Sequence, residues 1–408
     1  MSEKQKDGRT AGLAPVPWVA SGFEPVETAF RDLQDRDEEL GSAVSVYLEG
    51  QPVVDLWAGY ASPGRNVPWR RDTVVSVFSA SKALTALCLL HLVDRDRAGL
   101  DDAVVDHWPE FARTDSEAKS RVTLRHILNH SAGLPVLRTN RAGDVYSWPR
   151  MIAALEAASL VWEAGSRTAY HAVTFGHLAG EIIRRISGKM PSRYFAENFS
   201  DPLNLDLSLR LLPDQTDRLA FCDGDSWKNR FTRANLTYVA PWFRGWQAQY
   251  FRPCGTDYHP NSRRWQHAEA PAITGFGTAE GLARIYAMLA GGGVLDGVRV
   301  LSEDMVRRVT RERPEPVKDH GIGHDVRVGL GLYYNLGPMA DLGPNPNSVG
   351  HVGMGGVTSF ADPDAGIGFG YVCNHLYQPT PKSATLIGDR AARLVDVLYD
   401  CLRDRTRP

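Results

Sequence analysis

Ser79 and Lys82 stand three positions apart and have side chains that could together perform nucleophilic chemistry. Residues 73–78 before them are apolar and rich in β-branched side chains, which predicts an extended segment, and residues 83–90 after them predict a helix. Positions three apart on a helix share a face, so the lysine amine could be the base that a serine hydroxyl needs. That helix is apolar nearly all round, so we expect it to be buried, which favours an uncharged amine. The alternative is a serine at a helix cap beside a solvated lysine.

Two later stretches could complete such a site. Tyr170 follows a turn of glycine and serine and precedes a helical pattern. Its phenol could point into a cleft and relay protons, with a pKa lowered by a lysine ammonium. The glycines on both sides of His351 suit a strand whose backbone lies close to a ligand, where a backbone N–H could stabilise an oxyanion. Taken alone, Tyr170 could also be an aromatic residue packed at a domain junction, and the glycines could simply form turns.

The composition limits the classes of function. The chain has 408 residues, more than one average domain, and its net charge of -2 gives no reason to expect nucleic acid or an anionic membrane surface as a partner. No apolar run is long enough to span a membrane, and the charged first residues do not resemble a secretory signal, so the expected location is the cytoplasm. A small molecule is the expected partner, and the oligomeric state is open.

Neither the cysteines nor the histidines predict a metal site or a cofactor. The five cysteines are scattered at spacings that suit neither zinc nor a disulfide framework. His126 and His130 are expected to cap or tie a turn, and the pattern of a phosphate-binding loop is missing. The sequence therefore predicts chemistry carried out by protein side chains, with no metal and no cofactor.

The chain divides into regions of different character. Strand and helix patterns alternate in its first and last thirds, whereas the middle consists mainly of helices and loops. We therefore predict an α/β domain made of residues 21–105 and 271–408, an inserted and mainly helical domain of residues 106–270, and a flexible N-terminus of residues 1–20. A cleft between two such units is a common place for a small-molecule site.

The three motifs together resemble those of a known superfamily. In their order along the chain, Ser79-x-x-Lys82, Tyr170 and His351-x-Gly353 are similar to the motifs of the serine β-lactamases and penicillin-binding proteins. Their order and spacing fit the class C branch. Within that branch the chain looks most like the family VIII carboxylesterases.

Residues 128–134 and 360–363 match the same family, and the resemblance extends from about residue 25 to residue 400. It implies a layered α/β fold in which an antiparallel sheet, formed by both chain ends, is flanked by helices. It also implies a serine hydrolase that cleaves carboxylic esters, or amides, through an acyl-serine intermediate.

The resemblance further implies a role for each site residue. Ser79 would attack the carbonyl carbon, and Lys82 with Tyr170 would take the proton and pass it to the leaving group. The backbone N–H groups of Ser79 and Met354 would hold the oxyanion. His351 would line the cleft and orient either Tyr170 or the substrate.

Two positions depart from the classical members of the superfamily. Ala172 replaces the asparagine of the second motif and cannot hydrogen-bond a substrate amide. His351 replaces the lysine of the third motif, whose fixed charge helps to bind a substrate carboxylate. An ester or amide without an obligatory carboxylate therefore fits better than a β-lactam or a peptide. Three alternatives stay open: an acyltransferase of secondary metabolism that uses the same acyl-enzyme, a penicillin-recognising binding protein without activity, and a β-lactamase or D-peptidase.

An aromatic-rich stretch at residues 238–267 could influence the choice of substrate. It contains Trp242 and Trp246, and its aromatic positions fit no regular period. On a loop over the cleft these side chains would bind a flat or apolar acyl group. The alternative is that they anchor a long loop to the core.

Overall fold

The central feature of the fold is an eight-stranded antiparallel sheet to which both ends of the chain contribute. The computed structural model describes residues 16–36, 38–223, 259–336, 342–376 and 388–405. Its strands are β1 Trp18–Val19, β2 Gly41–Leu48, β3 Gln51–Gly59, β4 Val75–Phe78, β5 Leu207–Ser208, β6 Gly275–Gly277, β7 Val294–Leu295, β8 Val298–Arg299, β9 Val317–Lys318, β10 Asp325–Val326, β11 Val328–Gly329, β12 Leu332–Tyr334, β13 Val349–Val352, β14 Thr358–Asp362 and β15 Ile367–Cys373. The large sheet has the order β1-β3-β2-β15-β14-β13-β12-β11. Since β2 pairs with β15, the predicted sheet of both chain ends is confirmed.

Helices flank this sheet, and they form about half of the described part of the middle region. The α-helices are α1 Glu24–Asp35, α2 Ser81–Asp94, α3 Val104–His107, α4 Ser116–Lys119, α5 Leu124–Leu128, α6 Trp148–Ala157, α7 Thr174–Ser187, α8 Pro191–Phe195, α9 Arg263–His267, α10 Ala279–Ala290, α11 Glu303–Thr310 and α12 Arg390–Arg405. Short 3₁₀ helices lie at Pro109–Arg113, Asp144–Tyr146, Pro213–Arg218 and Met354–Gly356, and a π-helical turn lies at Ala196–Ser200.

Each face of the large sheet is covered by helices. On one face α1 and α12 pack against each other, and apolar side chains such as Phe30 and Leu394 share a core with Phe369 of β15. On the other face α10 packs against β2, β14 and β15. Gly368 of β15 permits this contact, because a Cβ there would lie 2.3 Å from the backbone nitrogen of Ala287.

Helix α2, which follows Ser79, lies in the interior. Its residues from Ser81 to Val93 are all buried, as its apolar sequence predicts. It packs against α7 and α8. Strand β4, which leads into Ser79, pairs with β6 in a separate three-stranded sheet of order β4-β6-β5. Core packing therefore fixes both the strand and the helix on either side of the serine.

Some predicted boundaries need correction. Trp18 and Val19 pair with β3, so the prediction of a flexible N-terminus through residue 20 is wrong for these two residues. Residues 1–15 lie outside the described part of the chain. The domain boundaries stay a prediction.

Candidate active site

Ser79 occupies a turn between β4 and α2 whose backbone is strained. The residue before it, Phe78, has a φ of 49°, a left-handed conformation that is costly for a bulky side chain. Among the contacts that hold Phe78 there, its carbonyl accepts a hydrogen bond from the Ser81 hydroxyl, and its ring packs edge-on against Trp265 with centroids 5.8 Å apart. The turn leaves Ser79 partly exposed at the end of a buried strand, as an accessible nucleophile requires.

Lys82 places its amine beside the Ser79 hydroxyl. The side chain is fully buried, and Nζ lies 3.1 Å from Ser79 Oγ. Nζ also donates a hydrogen bond of 2.9 Å to the carbonyl oxygen of Ala272 and lies 4.7 Å from the ring centroid of Tyr170. A neutral amine can give one N–H to Ala272 and accept the serine proton with its lone pair, and the Tyr170 ring face then stabilises the ammonium.

Tyr170 is packed among aromatic rings next to Lys82. Its ring centroid lies 5.1 Å from that of His130, 6.4 Å from that of Tyr333 and 6.3 Å from that of His351. Burial raises the pKa of the Tyr170 phenol, and its interaction with Ser79 offsets part of that rise. The prediction that a lysine ammonium lowers this pKa is therefore wrong, because burial outweighs other effects. The phenol stays protonated at neutral pH and can donate a proton.

Two histidines hold the turn that carries Tyr170. His130 Nδ1 accepts a hydrogen bond of 3.1 Å from the backbone N–H of His171. His171 Nε2 accepts one of 3.2 Å from the backbone N–H of Leu134, and its Nδ1–H donates one of 2.7 Å to Ala169. His130 thus ties a turn, as predicted. His126 caps α5 together with Thr123, which confirms its predicted role.

The third motif brings its glycines against the nucleophile strand. A Cβ at Gly353 would lie 2.3 Å from the carbonyl oxygen of Val77, so Met354 follows a backbone that touches the strand leading to Ser79. Behind Met354, the carbonyl oxygen of Gly355 accepts a hydrogen bond of 2.8 Å from the buried Arg390 guanidinium. This contact fixes the turn whose N–H group is the predicted second oxyanion donor.

His351 is a neutral, buried side chain in this site. Its Nδ1–H donates a hydrogen bond of 2.8 Å to the carbonyl oxygen of Val352, and its ring lies edge-on to Tyr333 at 5.3 Å. Burial, followed by the charge of Lys82, lowers the pKa of His351 to about 3. It therefore carries no positive charge with which to bind a substrate carboxylate.

The structure brings Ser79, Lys82 and Tyr170 together and adds residues that sequence reasoning missed. Ala272 holds the lysine amine, and Asp319 accepts a hydrogen bond from the backbone N–H of Tyr170. A weak signal for Asp319 is its place before a loop with two glycines, where aspartate often accepts backbone hydrogen bonds.

Most of the aromatic stretch at residues 238–267 lies outside the part of the chain that the structure describes. Trp242 and Trp246, proposed as substrate-binding residues, lie outside the described residues. Trp265 is described and fully buried against Phe78, so for this residue the anchoring alternative holds.

The sequence pattern of the family described as Beta-lactamase matches residues 26–392. The chain belongs to the Beta-lactamase family. The esterase/beta-lactamase LipL of Mycobacterium tuberculosis is 33% identical over 377 residues, which cover 91% of this chain and 86% of LipL.

Solved structures of this family agree with the fold. The crystal structure of a family VIII carboxylesterase has a TM-score of 0.81 and 33% identity, covering 94% of this chain and 98% of that one. A penicillin-binding protein homologue from Caulobacter crescentus has a TM-score of 0.81 and 31% identity, covering 96% of this chain and 100% of its own. The predicted superfamily is therefore confirmed, and this Beta-lactamase family member is a serine hydrolase.

Among the residues that the structure describes, no three His, Cys, Asp or Glu side chains are arranged to hold a metal ion. Within the same ranges, no helix has both the length and the apolar character needed to cross a bilayer.

Proposed function

We propose that this protein hydrolyses carboxylic esters through an acyl intermediate on Ser79. The observation that carries the proposal is the 3.1 Å contact between the buried Lys82 amine and the hydroxyl of Ser79, a residue that is partly exposed. A serine hydroxyl is a weak nucleophile without a base in contact with it. The Tyr170 phenol, which burial keeps protonated, lies beside the same amine. The site therefore contains a nucleophile, a base and a proton donor.

In the first half of the reaction, Ser79 Oγ forms a bond to the ester carbonyl carbon while its proton passes to Lys82 Nζ. The carbonyl oxygen becomes an oxyanion that accepts hydrogen bonds from the N–H groups of Ser79 and Met354. The bond to the alkoxide leaving group then breaks. Tyr170 donates its proton to the alkoxide and is reprotonated by Lys82, so an alcohol leaves and Ser79 carries the acyl group.

In the second half, water attacks the acyl carbon and gives a proton to the Lys82–Tyr170 pair. The bond between the carbon and Ser79 Oγ breaks, and that oxygen takes the proton back. The products are a carboxylic acid and the resting enzyme. No step requires a metal ion or a redox partner.

The substrate class follows from what the site lacks. Ala172 has a methyl group where an amide would hold a β-lactam or peptide, and neutral His351 has no charge for a carboxylate. An ester with an uncharged acyl group needs neither an amide contact at position 172 nor a positive charge at position 351. We therefore expect short acyl esters to be better substrates than β-lactams.

Intact-protein mass spectrometry with p-nitrophenyl butyrate tests the proposal directly. We expect a burst of p-nitrophenol and a butyryl adduct that Ser79→Ala abolishes. Ser76→Ala is the matched control, since Ser76 lies on the strand that leads into Ser79 and its buried hydroxyl has no hydrogen-bond partner among the described residues. A folded Ser79→Ala protein with wild-type turnover would refute the mechanism.

The same experiment separates hydrolysis from acyl transfer. In the presence of a small alcohol, a hydrolase releases mainly free acid, whereas an acyltransferase releases mainly the new ester. We expect free acid to predominate at low alcohol concentration. Absence of any adduct, with no burst, would instead favour a binding protein without activity.

A further inference from the structure

Asp319 is a fully buried carboxylate whose oxygens all face backbone N–H groups. Oδ1 accepts hydrogen bonds of 2.7 Å from Gly321 and 2.8 Å from Ile322, and Oδ2 accepts one of 2.8 Å from Tyr170. One oxygen therefore closes the loop that follows Asp319, and the other joins this loop to Tyr170.

The two chain segments are also joined through their backbones. Thr168 and Asp319 form a parallel bridge, and the N–H of His320 donates a hydrogen bond of 2.9 Å to the carbonyl oxygen of Thr168. The loop is thus docked against the residues that lead into Tyr170. Asp319 supplies the contact nearest to the tyrosine.

The Tyr170 hydroxyl interacts with Ser79 but forms no hydrogen bond of normal geometry to a described residue, so its position depends on other contacts. Its ring packs against His130, Tyr333 and His351, and its position relative to Lys82 depends on these contacts and on its backbone. Displacement of a reacting group by about 1 Å can cost roughly 100-fold in rate.

Resting on the esterase function proposed above, we propose that Asp319 is a positioning residue for the reaction: through the backbone N–H of Tyr170, its carboxylate holds the phenol against Lys82. Its negative charge acts in the same sense, since it contributes to raising the pKa of Tyr170 and so favours the protonated phenol. Other titratable groups that face the phenol are Lys82, His130, His351 and Tyr333.

Asp319→Asn tests the proposal, because an amide nitrogen cannot accept a hydrogen bond. Either the N–H of Tyr170 or the N–H groups of Gly321 and Ile322 then lose their acceptor. With p-nitrophenyl butyrate we expect kcat to fall about 10- to 100-fold with KM changed less than about two-fold, since positioning for the chemical step is lost. In a Tyr170→Phe background, the same substitution should lower kcat less than about three-fold, because the effects of substituting residues that act together are not additive.

The matched control is Asp362→Asn. Asp362 is also fully buried and its Oδ1 also closes a turn, accepting hydrogen bonds of 2.9 Å from Asp364 and 3.1 Å from Ala365, but it has no contact with Tyr170. We expect its effect on kcat to be small and equal in both backgrounds. Thermal unfolding of every variant separates loss of structure from loss of positioning.

Each outcome decides the question. The inference would be overturned if Asp319→Asn lowered kcat by the same factor in the wild-type protein and in the Tyr170→Phe variant. It would also be overturned if Asp319→Asn had wild-type kcat. Neither result would affect the acyl-enzyme mechanism. Activity in Ser79→Ala would overturn the proposed function itself, and wild-type kcat in Tyr170→Phe would overturn both the proton relay and the inference. If Asp319→Asn does not fold, Asp319→Glu, which keeps the charge but displaces the carboxylate by one methylene, enters the same comparison with the same expectation.

Discussion

Gly353 lies against Val77 so closely that a Cβ at position 353 would be 2.3 Å from the Val77 carbonyl oxygen. This contact joins the strand that ends at the third motif to the strand that ends at Ser79. The backbone of Gly353 is extended, with φ of -113°, so any residue could adopt its conformation. The glycine is required by the lack of space and not by its backbone angles.

We therefore expect Gly353→Ala to push the two strands apart and to misplace the oxyanion donors. Loss of one such donor typically lowers kcat about 10²–10³-fold, and overpacking costs about 1–3 kcal/mol of stability. Steady-state kinetics and thermal unfolding measure the two effects. Gly64→Ala is the control, since a Cβ there would lie 3.4 Å from the Asn66 side chain at its nearest contact. Unchanged kcat in Gly353→Ala would argue against an oxyanion site at Met354.

Lys82 and Tyr170 are expected to act as one proton-transfer unit. Lys82→Met and Tyr170→Phe should each lower kcat by about 10³-fold or more, and the double variant should lose little beyond the worse single variant. Strictly multiplicative losses would show two independent roles and would rule out the relay.

Lys119 offers a matched control for the removal of a buried amine. It is also fully buried, donates hydrogen bonds of 2.7 Å and 2.9 Å to the carbonyl oxygens of Leu155 and Glu156, and lies 4.8 Å from the ring centroid of Phe111. Lys119→Met should reduce stability without reducing kcat of the folded protein. A large loss of kcat in this variant would mean that burial of an amine, and not its contact with Ser79, explains the effect at Lys82.

β-Lactam turnover should be weak beside ester turnover, because Ala172 and neutral His351 supply neither an amide contact nor a charge for the substrate carboxylate. The measurement is kcat/KM for nitrocefin and for p-nitrophenyl butyrate on the same preparation. A ratio that favours nitrocefin would overturn the proposed substrate class.

Because several histidines are buried, we expect the free energy of unfolding to fall in mild acid. Burial lowers the pKa of His171 to about 4 and that of His351 to about 3, below the value of about 6.5 for an unfolded histidine. Between these values the unfolded chain binds more protons than the folded one, so the stabilisation is complete above about pH 6.5 and is lost as the pH falls. Each histidine should lower the free energy of unfolding by on the order of 1–2 kcal/mol between pH 7 and pH 5.

Urea unfolding at pH 7 and pH 5 checks this prediction. His171→Gln should make the pH dependence shallower, because it removes a buried imidazole whose pKa is lowered by burial. Equal unfolding free energies at the two pH values in the wild-type protein would contradict it.

The local part of the site could be predicted from the sequence. The spacing of Ser79 and Lys82 places the serine in the turn before α2 and the lysine in the first turn of that helix, and the apolar residues after them ensure that the helix is buried. The strand and helix patterns predicted an α/β domain made of both chain ends, and the resemblance of the three ordered motifs to those of a known superfamily implied the antiparallel sheet. These features depend on short-range periodicity and on motif order, which a sequence displays directly.

Tertiary structure alone decided which residues support the reacting groups. Lys82 and Ala272 are 190 positions apart, and Tyr170 and Asp319 are 149 positions apart. The direction of the Tyr170 pKa shift also depended on burial by residues from several elements. Such contacts follow from how strands and helices pack, and no local pattern encodes them, because a backbone N–H or carbonyl group is the same at every position in the sequence.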